Sequence, residues 1–267
     1  MNAVAARILI VAGAAVTLAA VMPITARTII VRQAAIARSR IGAPLGELAP
    51  AADRIWRRRF DGAPVELLLL GDSIAAGLGA ERRKDTLGAR LSKGLARALQ
   101  RPVRLRTAAV VGSESSALAS QLDGLPDGYR PAVAVIVVGG NDVTHRIPVS
   151  ESAAHLTAAI ERLRALGAQV VVGTCPDLGA LRPVPQPLRA LGSRLSRQLA
   201  DAQARAAHGA GARAVSLRHA VGPVFISQPD EMFSLDRFHP SALGYRRTAD
   251  ALLPVVRELL APTVRAA

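Results

Sequence analysis

Short apolar segments alternate with longer segments of helical periodicity from about residue 64 to the end of the chain. The short segments predict strands, because their length and their content of Leu and Val are typical of buried strands. They fall at 65–70, 103–109, 132–138, 168–174 and 212–216. The longer segments predict helices at 86–100, 115–124, 151–166, 190–209 and 241–260.

This alternation predicts an α/β domain over residues 64–267, with helices on both faces of a five-stranded parallel sheet. The segments 133–138 and 168–173 are almost continuously apolar, as expected of strands that are buried on both faces. A chain of 267 residues holds one such domain together with an N-terminal extension.

The first 63 residues differ from this pattern. Within residues 1–43, the segment 8–26 is uncharged and apolar, and its length suits a bilayer crossing. It is interpreted as an uncleaved anchor, a signal peptide or an Ala-rich helix packed on the domain. Residues 44–63 are expected to form a linker with a basic segment at 54–59, which lies on anionic headgroups or forms a solvated helix face.

The distribution of charge bears on location and partners. More arginines follow the apolar segment than precede it, which places the domain in the cytoplasm or on the cytoplasmic face of a membrane; export is the alternative. The net charge is +14, but aromatic residues make up only 3% and no nucleic-acid-binding motif is present, so no nucleic-acid partner is expected. Cys175 is the single cysteine and the five histidines are scattered, so neither a disulfide, a metal nor another cofactor is expected.

Four polar motifs lie at or beyond the ends of predicted elements. Gly71-Asp72-Ser73 follows the first strand, Gly112 follows the second, Gly139-Gly140-Asn141-Asp142 follows the third, and Asp236-Arg237-Phe238-His239 precedes the last helix. Taken singly, each is also typical of a turn or a helix cap. Because the carboxyl ends of parallel strands share one edge of a sheet, the first three are expected to converge there.

The residue types in these motifs supply the parts that acyl transfer requires. Ser73 supplies a nucleophilic hydroxyl, His239 a base for its proton, and Asp236 a carboxylate that orients the imidazole and stabilises the imidazolium. The backbone N–H groups of Ser73 and Gly112 and the side-chain amide of Asn141 can form an oxyanion hole.

These four motifs resemble those of the SGNH, or GDSL-type, hydrolase superfamily, over about residues 64–262. The resemblance implies a flavodoxin-like sheet, a Ser-His-Asp triad and an oxyanion hole, and hence a serine-dependent hydrolase of acyl esters such as an esterase or lipase. Thr107 and Ala108 stand where an Asn is frequent upstream of Gly112, and Ile74 follows the nucleophile motif in place of Leu. These departures concern the substrate rather than the catalytic groups.

The segment 172–189 is similar to an actinobacterial subgroup of this superfamily that includes a mycobacterial sugar octanoyltransferase. This similarity implies the alternative of an acyltransferase, which moves a medium-length acyl group from a thioester to a sugar hydroxyl such as that of a glucosylglycerate. A lipid or sugar binder without catalysis is the alternative of another class. Asp72, Asp142 and His145 are candidate substrate contacts, whereas Cys175 is expected to be a buried apolar residue.

Overall fold

The computed structural model describes residues 27–42, 45–46 and 48–265 and contains a six-stranded central sheet. The strand order is β1-β3-β2-β4-β5-β6, and every neighbouring pair is parallel except β1 with β3. The predicted α/β fold and its five parallel strands are therefore confirmed. The strands are β1 (Ile55–Trp56), β2 (Val65–Gly71), β3 (Val103–Thr107), β4 (Val133–Val137), β5 (Gln169–Gly173) and β6 (Arg213–Val215).

The sheet has six strands, so the predicted number of five is wrong. The additional strand β1 is only two residues long and pairs antiparallel with the outer side of β3. A segment this short carries no alternation of apolar and polar residues. β1 lies inside the segment that was predicted to be a linker with a basic helix or surface segment. Because Trp56 packs against the core, this part of the chain belongs to the domain.

Helices cover both faces of the sheet, so that the domain has three layers. Helices α3 and α11 pack together on one face, and α4, α6 and α7 lie on the other. The helices are α1 (27–41), α2 (Ser73–Ala76), α3 (Leu87–Leu99), α4 (Leu118–Asp123), α5 (Gly140–His145), α6 (Val149–Ala165), α7 (Leu188–Gly209), α8 (Leu217–Ala220), α9 (Gly222–Ser227), α10 (Pro229–Met232) and α11 (Ala242–Arg265).

The central strand β2 is apolar on both faces because both are covered. Leu67 and Leu69 pack with α3 and α11, whereas Leu68 and Leu70 pack with α4 and α6. All four side chains are fully buried. At roughly 1.5–3 kcal/mol for each buried leucine, this strand is a main source of stability.

Short helices account for most of the differences from the predicted elements. Helix α5 occupies the Gly-Gly-Asn-Asp motif, whose composition is equally typical of a turn. Helices α8, α9 and α10 each comprise only four to six residues, so none completes the two turns over which helical periodicity becomes visible. The predicted helix at 115–124 consists of a 3₁₀ turn followed by α4.

The N-terminal helix α1 packs against the domain near the start of α7. The side chain of Gln33 accepts a hydrogen bond from the N–H of Leu188 and donates one to the carbonyl of Gln186. Arg40 donates to the carbonyl of Pro183 at 3.3 Å. The apolar segment 8–26 lies outside the described residues. Among the residues that are described, no helix combines the length and the apolar character needed to cross a bilayer.

The end of β2 approaches β4 more closely than any side chain would permit. Gly71 has a φ angle of +128°, and a Cβ atom at this position would lie 1.8 Å from the carbonyl oxygen of Val137. The buried side chain of Gln121 accepts from the N–H of Gly71 at 2.9 Å and donates to its carbonyl at 2.8 Å. The backbone polar groups at this turn are therefore satisfied without water.

We expect Gly71→Ala to lower the free energy of unfolding by about 3 kcal/mol or more, because it combines a positive φ angle with a clash against backbone. Gly128→Ala is the matched control, since Gly128 also has a positive φ angle, +71°, but open space where a Cβ would lie. Its cost should be about 1 kcal/mol. Urea denaturation measures both values, and equal costs would contradict the importance of the close approach.

Candidate active site

The predicted nucleophile lies at the carboxyl edge of the sheet, directly after β2. Ser73 is the first residue of α2, and Asp72 caps this helix by accepting a hydrogen bond from the N–H of Ile74 at 2.9 Å. Gly77 ends the single turn in the left-handed conformation. Ser73 is 6% exposed, so its hydroxyl lies at the bottom of a cavity rather than on the surface.

The loop between α10 and α11 brings His239 to this hydroxyl. Asp236 folds the loop by accepting hydrogen bonds from the N–H groups of Phe238 and His239, both at 3.0 Å. The carbonyl of His239 accepts from the N–H of Ser234 at 2.8 Å, which closes the loop into a narrow turn. These hydrogen bonds fix the backbone of His239 within the loop.

The structure brings together the three side chains of the predicted triad. His239 Nδ1 lies 2.5 Å from Asp236 Oδ2, and His239 Nε2 lies 2.9 Å from Ser73 Oγ. An ionised carboxylate only accepts hydrogen bonds, so Nδ1 carries the proton in the neutral imidazole. Nε2 is then free to accept the proton of Ser73.

The electrostatics of Asp236 suit a permanent negative charge. Burial disfavours the carboxylate, but the hydrogen bonds from the His239 ring and from the N–H groups of Phe238 and His239 prevail and lower the pKa of Asp236. Asp236 therefore stays ionised beside the imidazole at neutral pH. This charge stabilises the imidazolium that forms when His239 takes a proton.

Besides the N–H of Ser73, the predicted oxyanion donors are Asn141 and Gly112, which follow β4 and β3. Asn141, at the start of α5, lines the same cavity as Ser73, and its Nδ2 donates to the carbonyl of Ser113 at 2.9 Å. This hydrogen bond uses one of two protons and leaves the other for a ligand. Gly112 is next to Ser113 and has a φ angle of +83°, and it lines a neighbouring depression with Ala76.

Two of the predicted substrate contacts have other roles in the structure. Asp142 is 1% exposed and accepts hydrogen bonds from the N–H of Ser115, at 3.1 and 3.2 Å, and from the hydroxyl of Ser152, at 2.6 Å. Its carboxylate holds the loops together and does not line the cavity. His145 pairs with Glu114 at 2.6 Å and points into a separate groove. Neither residue lines the cavity beside Ser73, so a substrate contact by Asp142 or His145 stays a prediction.

Asp72 is buried beside the nucleophile and lines the cavity. Burial raises the pKa of Asp72 to about 6, although the N–H groups of Ile74 and Gly140 and the imidazole of His239 favour its ionised form. The hydrogen bonds to Ile74 and Gly140 join α2 to α5. Asp72 thus holds the loop with Ser73 against the loop with Asn141.

The cavity beside Ser73 is mainly apolar. Its walls come from the loop after β5 and from the short helices α8 and α9, which the sequence pattern did not reveal. Leu178, Leu217, Val221, Phe225 and Phe233 are among the side chains that line it.

No sequence pattern predicts the structural role of two buried polar residues near the cavity, Gln121 and Gln203. Gln121 pairs with Gly71, and Gln203 accepts from the N–H of Cys175 at 2.7 Å and donates to the carbonyl of Val138 at 2.9 Å. Both glutamines satisfy backbone groups where strands end. Cys175 itself is fully buried, as expected, and burial, together with the charges of Asp72 and Asp142, raises the pKa of its thiol well above its usual range, which disfavours the reactive thiolate.

Comparisons with known proteins agree with this arrangement. The sequence profile of the GDSL-like lipase/acylhydrolase family matches residues 69–247. The GDSL-like esterase Rv1075c of Mycobacterium tuberculosis is 40% identical over 248 residues, which cover 88% of this chain and 78% of that protein.

Solved structures with low sequence identity share the fold. A lipase/acylhydrolase from Enterococcus faecalis has a TM-score of 0.59 at 20% identity, and the match covers 73% of this chain and 96% of that one. The psychrotrophic esterase EstA from Pseudoalteromonas sp. has a TM-score of 0.52 at 21% identity, and the match covers 75% and 97%.

We expect Asp72→Asn to change how stability depends on pH. The pKa of Asp72 is about 6 in the folded chain and about 4 in an unfolded one, so between these values the folded state binds more protons. Its contribution to the free energy of unfolding therefore falls as the pH rises from about 4 to about 7, by an amount on the order of 3 kcal/mol. Asp72→Asn should remove this fall.

Urea denaturation at several pH values measures the difference between the native chain and the variant. Asp127→Asn is the control, because Asp127 is exposed on a loop, and it should reproduce the native pH dependence. The same pH dependence in Asp72→Asn as in the native chain would contradict the burial cost assigned to this carboxylate.

Proposed function

The chain belongs to the GDSL-like lipase/acylhydrolase family, and from this premise we propose that it is a serine esterase that forms an acyl-enzyme on Ser73. The continuous hydrogen-bonded series from Ser73 Oγ through the His239 imidazole to Asp236 is the observation that carries the proposal. A serine hydroxyl is a weak nucleophile unless a base takes its proton during attack, and here the base lies 2.9 Å away.

Acylation begins when Ser73 Oγ attacks the carbonyl carbon of the ester. The proton of Ser73 passes to His239 Nε2, and the carboxylate of Asp236 stabilises the resulting imidazolium. The oxyanion of the tetrahedral intermediate receives hydrogen bonds from the N–H groups of Ser73 and Gly112 and from Nδ2 of Asn141. The bond to the alcohol oxygen then breaks, and His239 returns its proton to the leaving alcohol.

Deacylation repeats these steps with water. His239 takes a proton from a water molecule, the hydroxide attacks the acyl carbonyl, and the bond to Ser73 Oγ breaks as His239 returns the proton to it. The products are a carboxylic acid and the free enzyme. The apolar walls of the cavity suit the acyl group, since they offer few polar partners to a sugar.

Transfer of the acyl group to a sugar hydroxyl stays a prediction from the sequence. It differs only in the second step, where the acceptor hydroxyl takes the place of water. Mass spectrometry of the products with a glucosylglycerate present separates the two reactions, because hydrolysis gives free acid whereas transfer gives an acylated sugar.

We expect Ser73→Ala to lower kcat for a p-nitrophenyl ester by roughly 10³-fold or more, since it removes the nucleophile. Asp236→Asn should also lower kcat strongly, and the double variant should be little worse than Ser73→Ala alone because the residues act as a unit. Ser120→Ala is the matched control, since Ser120 is exposed and donates only to the carbonyl of Ala117.

Steady-state release of p-nitrophenol measures each variant, and circular dichroism shows that it is folded. Full turnover by Ser73→Ala would contradict the acyl-enzyme. Binding of lipid or sugar without turnover by the native chain would favour the non-catalytic alternative.

We expect Asn141→Ala to lower kcat by about 10²-fold with little change in KM, because an oxyanion donor acts mainly in the transition state. The hydrogen bond of Asn141 to Ser113 is also lost, so thermal unfolding is measured alongside the kinetics. A rise in KM at unchanged kcat would show that Asn141 binds the ground state instead, and would contradict its place in the oxyanion hole.

A further inference from the structure

The cavity beside Ser73 is too small for a long acyl chain. Its volume is about 70 Å³, roughly half that of an engineered apolar cavity of about 150 Å³ that binds benzene. The cavity therefore accommodates an acyl group of only a few carbons. A longer chain must continue beyond it.

A larger, mostly apolar groove lies between α1 and α7, with a volume of about 380 Å³, and Arg38, His145, Arg146 and Arg189 also line it. Ile30, Ala34 and Ala37 line it from the inner face of α1, and Leu188 and Leu195 line it from α7. The spacing of the α1 residues places them on one side of that helix. Arg38 and Ile41 of α1 line the groove too, but the small side chains of Ala34 and Ala37 leave space beneath the middle of the helix.

The groove and the cavity share part of their walls. Leu178, Leu181 and Phe238 line both of them. These three apolar side chains therefore form a partition between the two spaces. Phe238 is next to His239 in the chain and makes an edge-to-face contact with its ring, so this partition begins at the catalytic residues.

Hydrogen bonds attach α1, which covers the groove, to the rest of the domain. The Gln33 side chain binds the backbone of Gln186 and Leu188, and Arg40 binds the carbonyl of Pro183. All three partners lie in the proline-rich loop at residues 181–187 or at the start of α7. The helix α1 is therefore attached to the same loop whose Leu181 forms the partition.

We propose that the groove between α1 and α7 receives the distal methylenes of a medium-length or long acyl chain whose carbonyl lies at Ser73. This inference rests on the proposed esterase function and assigns its acyl specificity to α1, a helix outside the residues that the family profile matches. Each methylene buried in such a groove strengthens binding by about fourfold. The α1–α7 groove therefore favours long acyl chains over short ones.

The test introduces larger side chains into the groove from each of its two walls, in the full chain. Ala34→Phe adds a ring from α1, and Gly192→Leu adds a side chain from α7, where a Cβ atom would lie at an ordinary 3.7 Å from Leu178. Ala35→Phe is the matched control, since Ala35 is the next residue of α1 and faces solvent. The readout is kcat/KM for p-nitrophenyl acetate, p-nitrophenyl decanoate and decyl acetate.

We expect Ala34→Phe and Gly192→Leu each to lower the ratio of decanoate to acetate kcat/KM by about 15-fold, the effect of excluding roughly two methylenes. Ala35→Phe should leave this ratio at the native value. Because the two filling variants act from different helices, displacement of α1 by the new ring does not explain a shared result.

An unchanged ratio in Gly192→Leu, with Ser73-dependent acetate turnover intact, would overturn the groove assignment while leaving the esterase proposal in place. A fall in kcat/KM of the filling variants for decyl acetate, instead of for p-nitrophenyl decanoate, would overturn it too, because the groove would then hold the alkyl chain of the alcohol. If the native chain turned over none of these esters in a Ser73-dependent way, the proposed function itself would be contradicted.

Discussion

The close approach of Gly71 to the carbonyl of Val137 is the constraint on which the site depends. It lets β2 end against β4 with the chain turning at once, so that Ser73 begins a helix at the bottom of a cavity. Any Cβ at position 71 would move this turn and the nucleophile with it. Gln121 binds both backbone polar groups of Gly71, which removes the cost of burying them. Backbone geometry thus places the hydroxyl.

The base that accepts the proton of Ser73 comes from a residue that is distant in the sequence. Ser73 and His239 are separated by 166 positions and meet at 2.9 Å, because α11 packs beside α3 and carries its preceding loop to the edge of the sheet. Asp236 both folds that loop and orients the ring, so one carboxylate determines the position and the tautomer of the base. Asp72 and Asp142 instead hold loops together, which shows that buried carboxylates in one site differ in function according to their partners.

The sequence was most informative where side-chain type determines both structure and chemistry. The five parallel strands were predicted because both faces of the sheet are covered. The positions of Ser73, Asp236 and His239 followed from one motif at a strand end and another before the last helix. The strand β1 and the helices α8 to α10 are too short to show periodicity. The roles of Asp142 and His145 depend on which loops they meet, Ser115 in one case and Glu114 in the other, and no local pattern encodes such distant contacts.

Covalent labelling by a fluorophosphonate tests most directly whether Ser73 is an activated nucleophile. The reagent bonds to a serine oxygen only when a neighbouring base makes it nucleophilic, and mass spectrometry of peptides locates the adduct. The account predicts a single adduct on Ser73 in the native protein, and slowing of its formation by orders of magnitude in His239→Ala, which keeps the hydroxyl but lacks the base. An adduct that forms on Ser73 at the same rate in both proteins, or on other serines instead, would contradict it.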